Sequence, residues 1–217
     1  MPCLMAKIKS NNFELEFLVM ECCDFDPIEF YFKIILKYKG VPVLNDRAMK
    51  RHNSYWKKGE KGGIIGSEID TIRLIGKLEK ALLTKKAQFW EPYPDPDVQI
   101  SVYPNRNFPN IQEEYSDHLA LIVSPNSYQF KDSLSYDTYE GVSFVLTPTR
   151  EMILQFIEDL KWEVLEEARK TFGKKHYRTN VYVTTDKTGK IIKKRKLKVT
   201  IEPCEVSFDD NYFLRKK

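Results

Sequence analysis

Apolar residues recur at three- and four-residue steps in two stretches of the chain. In the first, Ser67 and Asp70 form a capping-box-like entry and Ile69, Ile72, Ile75, Leu78 and Leu82 follow on one face. With Lys85 and Lys86 suited to the negative end, this spacing predicts a helix over about 67–86. The second has Thr147 as N-cap, Pro148 at the first helical position and Ile153, Phe156, Ile157, Leu160 and Val164 in a stripe ending near Gly173. It predicts a helix over about 148–172, with Glu158, Asp159, Glu163, Glu166 and Glu167 read as its acidic outer side.

Between them lie short runs rich in Val, Ile, Phe and Tyr, bounded by Pro, Gly, Asn and Asp: Phe13–Glu21, Glu29–Tyr38, Val98–Tyr103, His118–Ser124 and Val142–Leu146. These read as strands, whereas Gly40-Val41-Pro42 and the "WEPYPDPD" of residues 90–97 read as turns. The order of strands, helix, strands, helix and hairpin implies an α+β fold with mainly antiparallel sheet. Two strand-helix halves, 13–87 and 88–173, are expected within one compact domain, because no Ser/Gly- or Pro-rich linker parts them.

A two-residue rhythm takes over at the C-terminal end. Asn180–Thr184 and Lys194–Ile201 alternate about the loop Asp186-Lys187-Thr188-Gly189, which predicts a β-hairpin over about 177–202. The simplest arrangement puts Val181 and Val183 on the face of Leu197, Val199 and Ile201, resting on the body. It leaves Lys194, Lys196 and Lys198 in water near Tyr182, with Lys187, Lys190, Lys193 and Arg195 at the tip.

Charge sharpens this picture. The stretch "GKIIKKRKLKV", residues 189–199, is six-elevenths Lys or Arg, and residues 169–198 hold twelve basic side chains against one acid, Asp186. Residues 1–168 hold 20 basic and 26 acidic side chains, so the net +4 of the chain conceals a polarised distribution. A patch this dense attracts phosphate backbones by counterion release, and Tyr177 or Tyr182 can stack on a base. The candidate nucleic-acid contacts are Tyr182, Lys193, Lys194, Arg195, Lys196 and Lys198. Alternating Lys also keeps exposed strand edges from pairing, and the acidic helix just before the hairpin offers local neutralisation.

Other chemistries leave weaker signals. Cys3, Cys22, Cys23 and Cys204 lack zinc-site spacing, and the adjacent Cys22 and Cys23 read as ordinary thiols of a reducing compartment. The N-terminal "MPCLMAKIKS" has no signal-peptide core, and the longest apolar run, Leu119–Val123, cannot span a bilayer, so a soluble cytoplasmic protein without membrane contact is expected. The loop Gly59–Gly66 runs toward the first helix as a possible anion cradle but matches neither a Walker loop nor a dinucleotide turn. Asp95, Asp97, Asp117 and His118 form the one imaginable carboxylate–imidazole set, and His52, His118 and His176 show no zincin spacing. Trp56, Trp90 and Trp162 read as packing residues. No catalytic residue, metal or cofactor is assigned.

The run "YEGVSFVLTPTREMILQFIEDLKWEVLEEA", Tyr139–Ala168, resembles the strand, Leu-Thr turn and acidic helix of small bacterial immunity proteins of the WapI type. That resemblance implies an α+β protein that acts by binding another protein and has no catalytic residues. The acidic residues Glu158, Asp159, Glu163, Glu166 and Glu167 would then steer a basic partner. A non-enzymatic protein-binding factor is the first expectation, a nucleic-acid-binding module using the hairpin the second, and an enzyme with a site assembled from distant residues the third.

Overall fold

The structure, a computed structural model, describes residues 5–10, 12–23, 29–43, 64–68, 71–91, 98–104, 117–126, 142–208 and 214–216. The chain opens with β1 (Ala6–Ser10), β2 (Phe13–Cys23) and β3 (Glu29–Tyr38), paired antiparallel in that order. After a turn at Lys39 and Gly40, both at positive φ, β4 (Val41–Pro42) returns along the end of β3, and β5 (Ile64–Glu68) pairs with Phe30–Ile34 of the same strand. Alternation decides the inward face: Ala6, Ile8, Leu15, Phe17, Val19, Phe30, Phe32, Ile34 and Leu36 are all buried.

Helix α1 (Thr71–Thr84) leads into a second antiparallel sheet of β6 (Gln88–Trp90), β7 (Val98–Tyr103), β8 (Ala120–Pro125) and β9 (Phe144–Leu146). Helix α2 (Arg150–Phe172) follows, then the ribbon β10 (His176–Thr185) and β11 (Ile191–Ile201), and a short pair β12 (Val206–Phe208) and β13 (Leu214–Lys216). This is the expected α+β architecture with a C-terminal hairpin.

The helices exchange places. Helix α2 lies on β1 and β2 of the first sheet, while α1 packs beside α2 and against β6 and β7 of the second. Apolar residues from both sheets and both helices belong to one cluster. Trp90 of β6 meets Phe17 and Phe32 of the first sheet edge-on at 6.2 and 5.8 Å, and those two phenyl rings stack at 5.2 Å. Such ring pairs add about 0.5–1.5 kcal/mol each beyond their burial. Ser10 at the end of β1 accepts a hydrogen bond from the Thr147 amide at 2.9 Å, tying the first strand to the entry of α2.

Both helix starts differ from the sequence expectation. Ser67 does not cap α1: residues 64–68 pair with β3, so their backbone groups go to a sheet ladder and the helix begins at Thr71. For α2 the cap is Thr149, whose hydroxyl accepts from the Met152 amide at 3.3 Å. Pro148 and Arg150 are held instead by the chain at 117–119, through Leu119 N to Pro148 O and Arg150 N to Asp117 O, each at 2.8 Å. The helix stops at Gly173, where a Cβ would stand 2.4 Å from the Arg169 carbonyl oxygen.

Candidate functional site

The C-terminal ribbon departs from the body. Residues 181–198 are exposed on both faces apart from the half-buried Asp186, and the two strands pair along ten registered positions from His176↔Ile201 to Thr185↔Ile191. At about 3.3 Å per residue the ladder is about 33 Å long. Its tip is set by Asp186. The carboxylate accepts from the Thr188 amide at 2.8 Å, the Thr188 hydroxyl at 2.6 Å and the Lys190 amide at 3.0 Å, while Gly189 takes φ +83. The Thr188 hydroxyl and these amides hold the Asp186 carboxyl below its ordinary range.

The register corrects the expected faces. Val181 stands opposite Lys196 and Val183 opposite Lys194, while Tyr182 pairs with Arg195. Directly opposed residues share a face. One face therefore carries Val181, Val183, Lys194 and Lys196, and the other Tyr182, Thr184, Lys193, Arg195 and Leu197. Each mixes cations with apolar side chains, and neither rests on the core: Val181, Val183 and Leu197 are 45%, 46% and 41% exposed. Val199 and Ile201, at the base, are half-buried. The two-residue period in each strand is as expected, but the offset between strands is one residue from the arrangement that would segregate the faces. A bulge after Thr184, which leaves Ile192 between the partners of Thr184 and Thr185, is accommodated because no buried face enforces another register.

Among the described residues, Lys187, Lys190, Lys193, Lys194, Arg195 and Lys196 have no carboxylate partner. The acids of α2 do not neutralise them. Glu158 pairs with Lys161 at 3.0 Å, Glu167 with Lys170 one turn on, and Asp159 accepts from Gln155 at 2.8 Å. Glu163 is not on the outer side at all. It is 3% exposed, and its carboxylate accepts the amides of Ala6 in β1 and Val19 in β2, the latter at 3.0 Å. Burial pushes this carboxyl up to about 7, against the pull of the Val19 and Ala6 amides and with the charges of Asp159 and Glu167 adding to the rise. Its placement was readable: Glu163 lies three residues after Leu160 and one before Val164, on the buried stripe itself.

No protein-family model matches the chain, and no curated protein matches it.

Among the described residues the remaining candidates do not converge on a reactive centre. Asp95, Asp97, His52 and Trp56 lie outside the described residues, as do residues 59–63 of the glycine-rich loop; its remainder is committed to β5. Asp117 is exposed, and His118 forms an isolated bridge with Thr149, so this pair clamps the start of α2 through its backbone. Among the described residues no group of three His, Cys, Asp or Glu could hold a metal ion. Cys22 is buried and Cys204 half-buried. Trp90 is core, whereas Trp162 on α2 is partly exposed. Among the described residues no helix is long and apolar enough to cross a membrane.

Proposed function

We propose that this protein binds nucleic acid through the β10–β11 ribbon. The observation that carries the reading is a ladder about 33 Å long whose cations from Lys187 to Lys196 face water on both sides without acidic partners among the described residues. Edge protection accounts for a lysine on an exposed strand. It does not account for a stretch from 181 to 198 held clear of the core, because a lone two-stranded ribbon is marginal in water and buries little of its own apolar surface. Phosphates would neutralise the arm, and Tyr182, Val181 and Leu197 would contribute contact area. A protein partner docking on α2 is the weaker reading, since Glu163 points inward and Glu158 and Glu167 already pair along the helix.

Filter binding to mixed-sequence DNA and RNA checks the proposal. With about six phosphate contacts, affinity falls roughly 10³-fold between 50 and 200 mM salt. Replacing Lys194, Lys196 and Lys198 together by Glu abolishes retention at low salt, while the melting temperature moves by no more than a few degrees because these side chains are exposed. Unchanged affinity in that variant rejects the assignment.

A further inference from the structure

We infer that the nucleic acid engaged by the ribbon is duplex DNA, entered through its major groove; this rests on the reading above. Three observations converge on it. The first is shape. Two strands about 4.8 Å apart, with one layer of side chains on each side, match the roughly 12 Å width of the B-form major groove, whereas the deep, narrow major groove of A-form RNA does not admit side chains.

The second is composition. Single strands are held on platforms of successive aromatic rings, but the ribbon carries two tyrosines only, Tyr177 and Tyr182, five positions apart on β10. Lys193, Lys194, Arg195 and Lys196 give charge at four successive positions of β11 instead, which suits a channel walled by phosphates on both sides.

The third is the division of faces. Arg195, Lys193 and Thr184 share one face, and Lys194 and Lys196 the other. With the Arg195 face toward the groove floor, its guanidinium reaches the O6 and N7 acceptors of guanine, Thr184 offers a hydroxyl to a neighbouring base edge, and Leu197 offers apolar contact to a thymine methyl. The lysines of the opposite face extend outward on flexible stems to the flanking phosphates.

Fluorescence anisotropy of the full chain distinguishes the levels of this claim. The probes are a mixed-sequence DNA duplex of about 20 base pairs, the same sequence as an RNA duplex, its single strand, and the DNA duplex carrying glucosylated 5-hydroxymethylcytosine, which fills the major groove. The expected result is DNA-duplex binding at least tenfold tighter than to the RNA duplex or the single strand, weakened at least tenfold by glucosylation. Equal affinity for the plain and glucosylated duplexes, or for DNA and RNA duplexes, overturns the groove assignment and leaves nucleic-acid binding standing. Absence of binding to all four probes overturns both.

Discussion

Glu163 shows how one side chain on an apolar stripe can serve a fold. The amides of Ala6 and Val19 belong to adjacent strands of the first sheet, and the carboxylate gives both an acceptor while α2 lies across them. Its sequence position looked like one more acid on an acidic helix, and only its phase relative to Leu160 and Val164 betrays the burial. The linkage sign follows from the shift. A carboxyl raised to about 7 binds its proton more tightly in the folded state, so this group's contribution is fully present below its unfolded value of 4.5 and is lost as pH rises to about 7. At about 1.4 kcal/mol per unit the full loss is about 3.5 kcal/mol. Glu163→Gln removes the titration and sets an amide N–H against a backbone donor. The variant should be less stable than wild type by about 1–3 kcal/mol near pH 5, with the gap narrowing by pH 8, as read by denaturant unfolding at both values. A gap independent of pH would mean that Glu163 does not titrate in this range.

At the scale of elements, what was legible depended on whether local chemistry or tertiary pairing decides. Val98–Tyr103 and Glu29–Tyr38 were readable to the residue because alternation and flanking turn residues agree. The stripe of α2 was equally plain. Phe156, 1% exposed, should cost about 3–5 kcal/mol when replaced by Ala, measured by chemical denaturation. The strand β5 was hidden because Ile-Ile-Gly-Ser-Glu looks like a loop and helix cap until β3 supplies its hydrogen bonds. Hairpin register was hidden for a different reason. The period of each strand is local, but which residues face each other is set by the Asp186 loop and the bulge after Thr184. Asp186→Ala therefore should loosen the arm selectively. Hydrogen exchange should speed up several-fold at amides of 181–185 and 191–196 while α2 keeps its protection; uniform change across both would contradict an arm anchored by its own turn.

Over the whole molecule, charge and packing divide along the same line. Residues 1–168 are net acidic, and both sheets and both helices contribute to one apolar cluster, whereas the basic excess lies almost wholly in residues 169–198. An acidic body carrying a basic arm orients itself toward a polyanion, because the body is repelled while the arm is drawn in. The same polarity makes the arm separable. His176 pairs with Ile201 at its base, so its ends lie side by side and a short Gly-Ser link can replace the strands without stretching the chain. The exchanged helices, which bind the two halves into one core, do not depend on it.

Excising residues 178–199 in favour of such a link, then measuring thermal unfolding and duplex-DNA affinity on the same preparation, tests the central claim most directly. The account predicts a body whose melting temperature stays within a few degrees of the full chain and whose DNA affinity is lost. Retained affinity, or a body that no longer unfolds cooperatively, would contradict it.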